Sequence, residues 1–493
     1  MPALKDLNFG ELAAESDDRL VDYFLVTPTA SAIMNPRIGA VLGRKGSGKT
    51  AIFRQMESLL ERDASKASTK IIRLNMDDHA WAAFEQYRRL GLSEEHAATT
   101  SWRLALLLQL AVHIAGDRST NYTKHSNADL KTLRRFVQDN FGDLKPGLEK
   151  SSRLIGQLRS LKLGAFGAGI EASFAESRTE REAVPALTEA LTQHLIAPLQ
   201  DSAWLLLLDQ LDESWDGSPS KKALLVGLLK AVKKINDDFG WRPDPHRGAR
   251  AIAFLRTDIH DVLEFDDKDK HRASSIEISW DHDQLRKMIE NRIDLSSIDE
   301  MFASATRQRK GRMAKGSFNY LVSRTFMRPR DLIQFLSELQ NAGPEATKIN
   351  KSLVERSEKN YSLAKVDDIR NEYRKSAPWV VDALDALKQG RNKFESRAEL
   401  EAQLFKKIHP DRLREYFERG LPVSDVPSLV DWMIDTSILG AATRKVKSET
   451  INFRCEGNPV TLEGDSTAWV HGSLFTGLPL YEPRSSRSDA GKM

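Results

Sequence analysis

Residues 43–50 read Gly43-Arg44-Lys45-Gly46-Ser47-Gly48-Lys49-Thr50, which satisfies the spacing G-x-x-x-x-G-K-[ST]. In such a loop the backbone N–H groups cradle the phosphates of a nucleotide, a role that here falls to Gly43, Lys45, Gly46, Ser47, Gly48, Lys49, Thr50 and Ala51. The Lys49 side chain would reach the β and γ oxygens, and the Thr50 hydroxyl would meet Mg²⁺. A second group of residues, Trp204-Leu205-Leu206-Leu207-Leu208-Asp209-Gln210-Leu211-Asp212-Glu213, is suited to the other half of that chemistry. Five large apolar residues predict a strand buried on both faces. A carboxylate at its end is costly unless it has a partner, and Asp209 is the candidate second Mg²⁺ ligand opposite Thr50. Asp212 and Glu213 lie just beyond, where a general base orients an attacking water.

These groups need elements to hold them. Arg37–Leu42 is a short β-prone run, and Ala51–Met56 has helical apolar spacing. Strand, glycine loop and helix in that order aim a helix N-terminus at the phosphates. Lys70–Asn75 predicts a second strand, the Asp209 run a third, Ala251–Asp258 a fourth and Ile276–Trp280 a fifth. Amphipathic helices are expected over Ala97–Gly116, Ala186–Leu199 and Lys221–Asn236. Alternating strands and helices indicate a parallel sheet with right-handed crossovers. At the exit of the fourth strand, Arg256, with Thr257 second, is placed to sense a terminal phosphate.

A helical lid is expected after the sheet. Asp281–Leu295 begins with an Asp suited to cap a helix. Arg328-Pro329-Arg330-Asp331 starts another, with Pro pre-setting the first turn. Arg330 in that turn is a candidate γ-phosphate sensor. Further on, helical segments at Val366–Leu387, Glu399–Phe405, Pro410–Arg419 and Pro427–Leu439 precede β-like stretches at Glu449–Arg454 and Ala468–Gly472. Helices followed by a hairpin suggest a winged helix, with Arg444, Lys445 and Lys447 beside the hairpin as candidate phosphate-backbone contacts.

The division expected is a lead-in over 1–36 and a P-loop core over 37–280, carrying a mostly helical insertion at 75–200. A lid follows over 281–360, then a winged-helix-like domain over 361–482 and a disordered tail over 483–493. The fold class is thus α/β, a parallel-sheet P-loop NTPase core with a large helical insertion, helical lid and C-terminal winged-helix-like domain. Within the lead-in, Tyr23–Pro28 reads as a docking segment.

Bulk properties bound the alternatives. The chain has 493 residues, 40% hydrophobic and 29% charged, with a net charge of +3, which is too small to demand a nucleic-acid partner. Its single cysteine, Cys455, rules out an intrachain disulfide and suits a reducing cytosol. Met1–Asn8 carries acidic groups and no apolar core, so no signal peptide is expected. The longest greasy stretch, Leu104–Ala115, is too short to span a bilayer. The expected location is cytoplasmic. Three weaker patterns do not support a site. The glycines of Leu161–Phe174 lack dinucleotide-loop spacing and read as a flexible loop or small hairpin, and Asp266–Asp269 lacks the spacing of a calcium loop. Asn392-Lys393-Phe394-Glu395 is similar to a guanine-reading motif but has Glu where that motif has Asp, and it is expected in a helical region.

Taken together, GRKGSGKTAI, LLLLDQLDE and FLRTDI resemble the bacterial P-loop ATPases allied to the STAND and KAP NTPases, within the broader AAA+ group. SWDHDQLRKMIENRI and RPRDLIQFL look like that family's lid, and AWVHGSLF like its C-terminal ending. The resemblance implies ATP and Mg²⁺ as cofactors, Lys49 and Thr50 on phosphates and metal, Asp209 as the metal acid, and Glu213 or Asp212 activating water. Arg256 and Arg330 would correspond to the two sensors. An Arg at the first sensor departs from the common Asn or Thr, and no residue declares itself an arginine finger. Relatives of this kind act as molecular switches, some in bacterial defence against phage. The implied partners are further copies of the chain, and DNA or a protein met through the C-terminal domain or the insertion, with no membrane. The alternative is a scaffold that binds ATP or ADP with little turnover and recruits a partner protein.

Overall fold

In the computed structural model the run Ala203–Asp209 is a strand buried at every position. The structure describes residues 2–62, 68–75, 93–142, 161–167, 180–212, 215–240, 247–293, 295, 297–303, 317–419, 421–445, 448–457, 459–463 and 466–481. They divide into one unit of residues 26–44 and 49–278 and another of residues 1–25, 45–48 and 279–493.

The first unit is built on a parallel sheet of β1 (Ala40–Leu42), β2 (Lys70–Asn75), β3 (Ala203–Asp209), β4 (Gly248–Leu255) and β5 (Ser275–Glu277). The strand order is β2-β3-β4-β1-β5, with every pairing parallel. β4 lies between the glycine-loop strand and the acidic strand, the placement that defines the additional-strand P-loop NTPases. The chain therefore has a parallel-sheet core with the strand order of a P-loop NTPase. Helix α1 (Lys49–Arg54) follows the loop and gives way at Gln55 to α2 (Met56–Glu61).

The helices of the stretch expected as an insertion form part of this core. They are α3 (Glu94–Gly116), α4 (Lys124–Phe141) and α5 (Glu180–Asp201). With α6 (Pro219–Phe239) they bury one sheet face, where Trp204, Leu206 and Leu208 of β3 and Ala251, Ala253 and Leu255 of β4 join a single apolar cluster with Leu107, Leu133, Leu191 and Leu228. On the opposite face Phe53 of α1 meets Phe254 of β4 edge-on at 5.8 Å. The β4 segment expected over Ala251–Asp258 stops at Leu255, and Thr257–Asp261 is a short helix, α7. Of the Leu161–Phe174 segment, residues 161–167 carry a single 3₁₀ turn and the rest lies outside the described residues.

The second unit opens its helical part with α8 (His282–Ile293), whose N-terminus is capped as expected: Asp281 Oδ1 accepts from the Gln284 N–H at 2.7 Å. α9 (Pro329–Ala342) has Pro at its first position. α10 (Lys351–Tyr373) runs unbroken through residue 360, where the sequence placed the lid's end. Leu4 and Phe9 bury in the apolar cluster of these helices. Tyr23 donates to Asp17 and lies under the Arg292 guanidinium at 4.6 Å, so this part of the lead-in docks as expected.

Beyond residue 373 the expectations need correction. Pro378 disfavours helix at the residue before it, and the run expected as helical over 366–387 divides into α10 and α11 (Val380–Leu387). Asn392–Glu395 is not helical; Lys393–Phe394 is strand β6. α12 (Arg397–Lys407), α13 (Pro410–Glu418) and α14 (Val426–Asp435) follow. Leu439 does not end a helix but begins strand β7 (Leu439–Lys445), with β8 (Ser448–Asn452) and β9 (Ser466–Val470) after it. The two foreseen stretches are not hairpin partners, because the antiparallel order is β6-β9-β7-β8. β7 opens Leu-Gly-Ala-Ala, residues of low strand propensity, and its Gly440 is required by packing: a Cβ there would lie 2.6 Å from the Phe453 ring. The expected disordered tail lies outside the described residues. No helix among the described residues is long and apolar enough to cross a membrane.

The crossing of α3 and α6 gives a test in which two effects oppose each other. A Cβ on Gly227 would sit 2.4 Å from Ala98 Cβ and 2.6 Å from Thr99 N. Helix propensity alone favours Gly227→Ala by about 1 kcal/mol, whereas overpacking against backbone costs about 1–3 kcal/mol or more. The expected outcome in urea unfolding is net destabilisation; a more stable variant would show that the helices separate freely.

Candidate functional site

Strand register decides which side chains meet in the sheet unit. Leu42 pairs with Leu255 and with Glu277, and Leu208 with Ala253. The loop strand, the acidic strand and their neighbour therefore reach the same edge. Pairing continues into the loop, with Gly43 N–H on Leu255 O at 3.1 Å and Thr257 N–H on Gly43 O at 3.3 Å. Arg256, expected at a strand exit, occupies the N-cap position of α7 without a capping side-chain hydrogen bond.

Lys49 Nζ donates to its own loop's carbonyls, Gly43 O at 2.8 Å and Arg44 O at 3.3 Å. Burial lowers its pKa, and the charges of Asp212 and Asp209 oppose that shift. Thr50 and Ala51 lie in the first turn of α1. Asp209 is buried. Its carboxylate accepts from the Gln210 N–H and the Thr50 hydroxyl, yet burial dominates and raises its pKa. Oδ2 of Asp209 is buried with no hydrogen-bond partner among the described residues. A buried carboxylate oxygen left open beside a threonine hydroxyl fits a divalent cation, so Thr50 and Asp209 suit Mg²⁺.

Around Lys49 the charges interlock. Arg256 forks onto Asp258, Nε to Oδ1 at 3.0 Å and Nη2 to Oδ2 at 2.7 Å, and its Nη1 lies 3.6 Å from Asp212 Oδ2. Thr257 donates its hydroxyl to Glu277 at 2.9 Å. Asp209, Asp212 and Arg256 are thus brought near Lys49. Glu213 lies outside the described residues.

Residues 45–48 of the loop pack within the other unit. Gly46 and Gly48 have φ of +81° and +101°, values that favour glycine. A Cβ on Gly46 would also lie 2.9 Å from Arg330 Cβ. Ser47 Oγ is buried and unpartnered among the described residues. Lys45 is exposed but its carbonyl accepts from Arg328 Nη1 at 3.1 Å. Arg330 brings its backbone N–H to Gly46 O at 3.4 Å and its Nε to Leu12 O at 3.1 Å. Trp280 Nε1 donates to Ser47 O at 2.8 Å. Sequence reasoning assigned no role to Trp280 or Arg328, since no spacing rule marks a donor to a loop carbonyl.

Residues 283–370 match the model of the FunZ-associated C-terminal helical domain. The chain is 25% identical over 398 residues to the 80.3 kDa protein ascribed to transposon gamma-delta of Escherichia coli (strain K12). That alignment takes in 76% of this chain, which spans 52% of its relative's length. Among solved structures, the Aeropyrum pernix Orc1 protein in complex with DNA overlaps 95% of this chain and 96% of its own, at 12% identity and a TM-score of 0.35. Cdc6p from Pyrobaculum aerophilum overlaps 94% and 92%, at 10% identity and a TM-score of 0.29. Likenesses this loose bear on neither activity nor partners.

The Asp209 carboxyl makes a pH prediction. Its folded-state pKa is raised, so the stability it lends in its protonated form is fully present below the unfolded value of about 3.9 and is lost as pH rises through the folded value. Near neutral pH the ionised group therefore costs stability. Without Mg²⁺ or nucleotide, Asp209→Asn is expected to melt at or above the wild-type temperature at pH 7–8. Only the wild type should gain stability from Mg²⁺ with nucleotide. An apo variant melting well below wild type would contradict the burial account.

Proposed function

We propose that this chain is an ATP-binding and ATP-hydrolysing molecular switch, allied to the STAND and KAP NTPases. The observation that carries the reading is the convergence of Lys49, Thr50 and a buried, half-unpartnered Asp209 carboxylate at one edge of an additional-strand sheet. In this reading the N–H groups of Lys45–Ala51 hold the phosphates, the Gly43 N–H being taken by Leu255 O, and Lys49 leaves its two carbonyl acceptors for phosphate oxygens. Thr50 and Asp209 hold Mg²⁺, which when bound neutralises charge building on the phosphate oxygens. Glu213, or Asp212 beside it, takes the proton from the attacking water. Arg256, fixed by Asp258, supplies positive charge near the terminal phosphate, and Arg330 is the lid's candidate sensor.

Nucleotide state would then set the conformation of the lid, of the winged-helix-like module beyond it, or of an assembly of further copies. A cytoplasmic role in defence against phage or on DNA belongs to this proposal, and the transposon-associated relative lends the DNA-linked version its support. The backbone contacts considered for DNA, Arg444, Lys445 and Lys447, have side chains outside the described residues. In α14, Asp431 and Asp435 pair with Arg397 and Arg454, so that helix offers phosphates no net positive charge.

Steady-state phosphate release by the purified chain tests the reading. Wild type is expected to turn over ATP with Mg²⁺. Lys49→Ala is expected to lose binding, and Glu213→Gln to keep binding but lose about 10²–10³-fold in rate, as removal of one well-placed electrostatic group commonly does. Undiminished turnover by Lys49→Ala would overturn it. Tight binding without turnover under any condition, with or without duplex DNA, would favour the scaffold instead.

A further inference from the structure

The phosphate loop has a second face. Where the N–H groups of an anion-binding loop point to the phosphates, its carbonyls point elsewhere, and buried carbonyls need donors. Three consecutive carbonyls, of Lys45, Gly46 and Ser47, are taken by Arg328 Nη1, the Arg330 N–H and Trp280 Nε1. Each donor comes from the same unit, so residues 45–48 are held from behind by Trp280 and by the start of α9.

One of these donors is itself tied further away. Arg328 is buried, and the nitrogen that reaches Lys45 O also reaches Glu372 Oε2 at 2.9 Å. Burial alone would lower the Arg328 pKa, but Glu372 and Asp331 outweigh it. Asp331 is held in turn by Lys365 Nζ at 2.9 Å and accepts from the Phe326 N–H at 3.0 Å. Glu372 sits in the last turn of α10, and its neighbour Tyr373 meets Trp432 of α14 edge-on at 5.5 Å. Trp379 packs on the same indole at 5.8 Å. The loop carbonyl, a buried ion pair and an aromatic cluster of the C-terminal module thus form one contiguous set of contacts. Removing one partner of a buried pair leaves the other uncompensated, so the set has little freedom to rearrange piecemeal.

We infer that Trp280 and Arg328 are positioning residues for nucleotide binding, and that the Arg328–Glu372 pair links occupancy of the phosphate loop to the C-terminal module through Tyr373 and Trp432. This rests on the nucleotide-binding reading above. Because coupling between sites is reciprocal, a nucleotide that fixes the loop must also tighten α10 and α14.

The test uses the full chain with Mg-ADP as probe, measuring affinity by calorimetry and backbone amide exchange over residues 368–373 and 426–435. Trp280→Phe removes only the indole N–H, and Glu372→Gln removes charge while keeping size and an acceptor, so both are chosen to stay folded. Each is expected to weaken Mg-ADP by about 5–10-fold, the effect of one well-placed hydrogen bond, with the apo melting temperature of Trp280→Phe unchanged. Mg-ADP should slow exchange in both segments of wild type and not in Glu372→Gln. Wild-type affinity in both variants, or exchange indifferent to Mg-ADP in wild type, would overturn the inference while leaving nucleotide binding intact. A wild type that binds no nucleotide, or binds it equally well as Lys49→Ala, would overturn the nucleotide reading and this inference with it.

Discussion

A carboxylate at the end of a strand buried at every position is the constraint around which the sheet unit is arranged. Asp209 cannot be left bare in that setting, because an unpaired buried charge is costly. Its surroundings compensate only in part: the Thr50 hydroxyl, the Gln210 N–H and the nearby Lys49 charge act against burial, and burial still wins. One oxygen stays unpartnered among the described residues. A structural carboxylate would gain by completing its hydrogen bonds, whereas one kept open fits a group to be bound. The sheet order follows from the same need, since only β4 between β1 and β3 brings Arg256 and its acids to Lys49.

The loop itself is held by two kinds of interaction. In the sheet unit, Gly43 is locked into β-pairing with Leu255 and Thr257. In the helical unit, residues 45–48 are fixed through their carbonyls and through Gly46, which leaves no room for a Cβ beside Arg330. The loop N–H groups proposed to hold phosphates are oriented by what the opposite side of each peptide bonds to, and the planarity of the peptide makes that transfer rigid. Arg328 suits the task because the two N–H groups of its Nη1 can serve a carbonyl and a carboxylate together.

The glycine octet and the acidic strand were legible because their chemistry demands fixed spacings and a run buried on both faces leaves an unbroken apolar pattern. The capping Asp281 and the helix-starting Pro329 were legible for the same local reasons. What stayed hidden depends on tertiary contact. Which surface the helices between β2 and β3 cover is not in their periodicity, although α3 lies against α6 closely enough to require Gly227. β7 was missed because Gly440, Ala441 and Ala442 carry no strand signal, and their place is set by β8 and β9 on either side. Trp280 and Arg328 sat inside recognised motifs, yet their partners are backbone oxygens, which a sequence does not display.

Two of the six non-glycine residues with positive φ among the described residues fall at the same two places. Gln210, directly after Asp209, has φ of +61°, and Met327, directly before Arg328, has φ of +54°. Such conformations cost non-glycine residues about 1–3 kcal/mol each and persist where the surroundings over-determine them. At Gln210 the left-handed turn is what returns its N–H to the Asp209 carboxylate. At Met327 the turn lies between the Phe326 N–H, held by Asp331, and Arg328, held by Glu372. A backbone relaxed to negative φ at either point would move the neighbouring side chain off its partner, whereas a glycine would hold the same turn without the strain. The two turns are therefore part of what keeps the acid and the clamp in place before any nucleotide arrives.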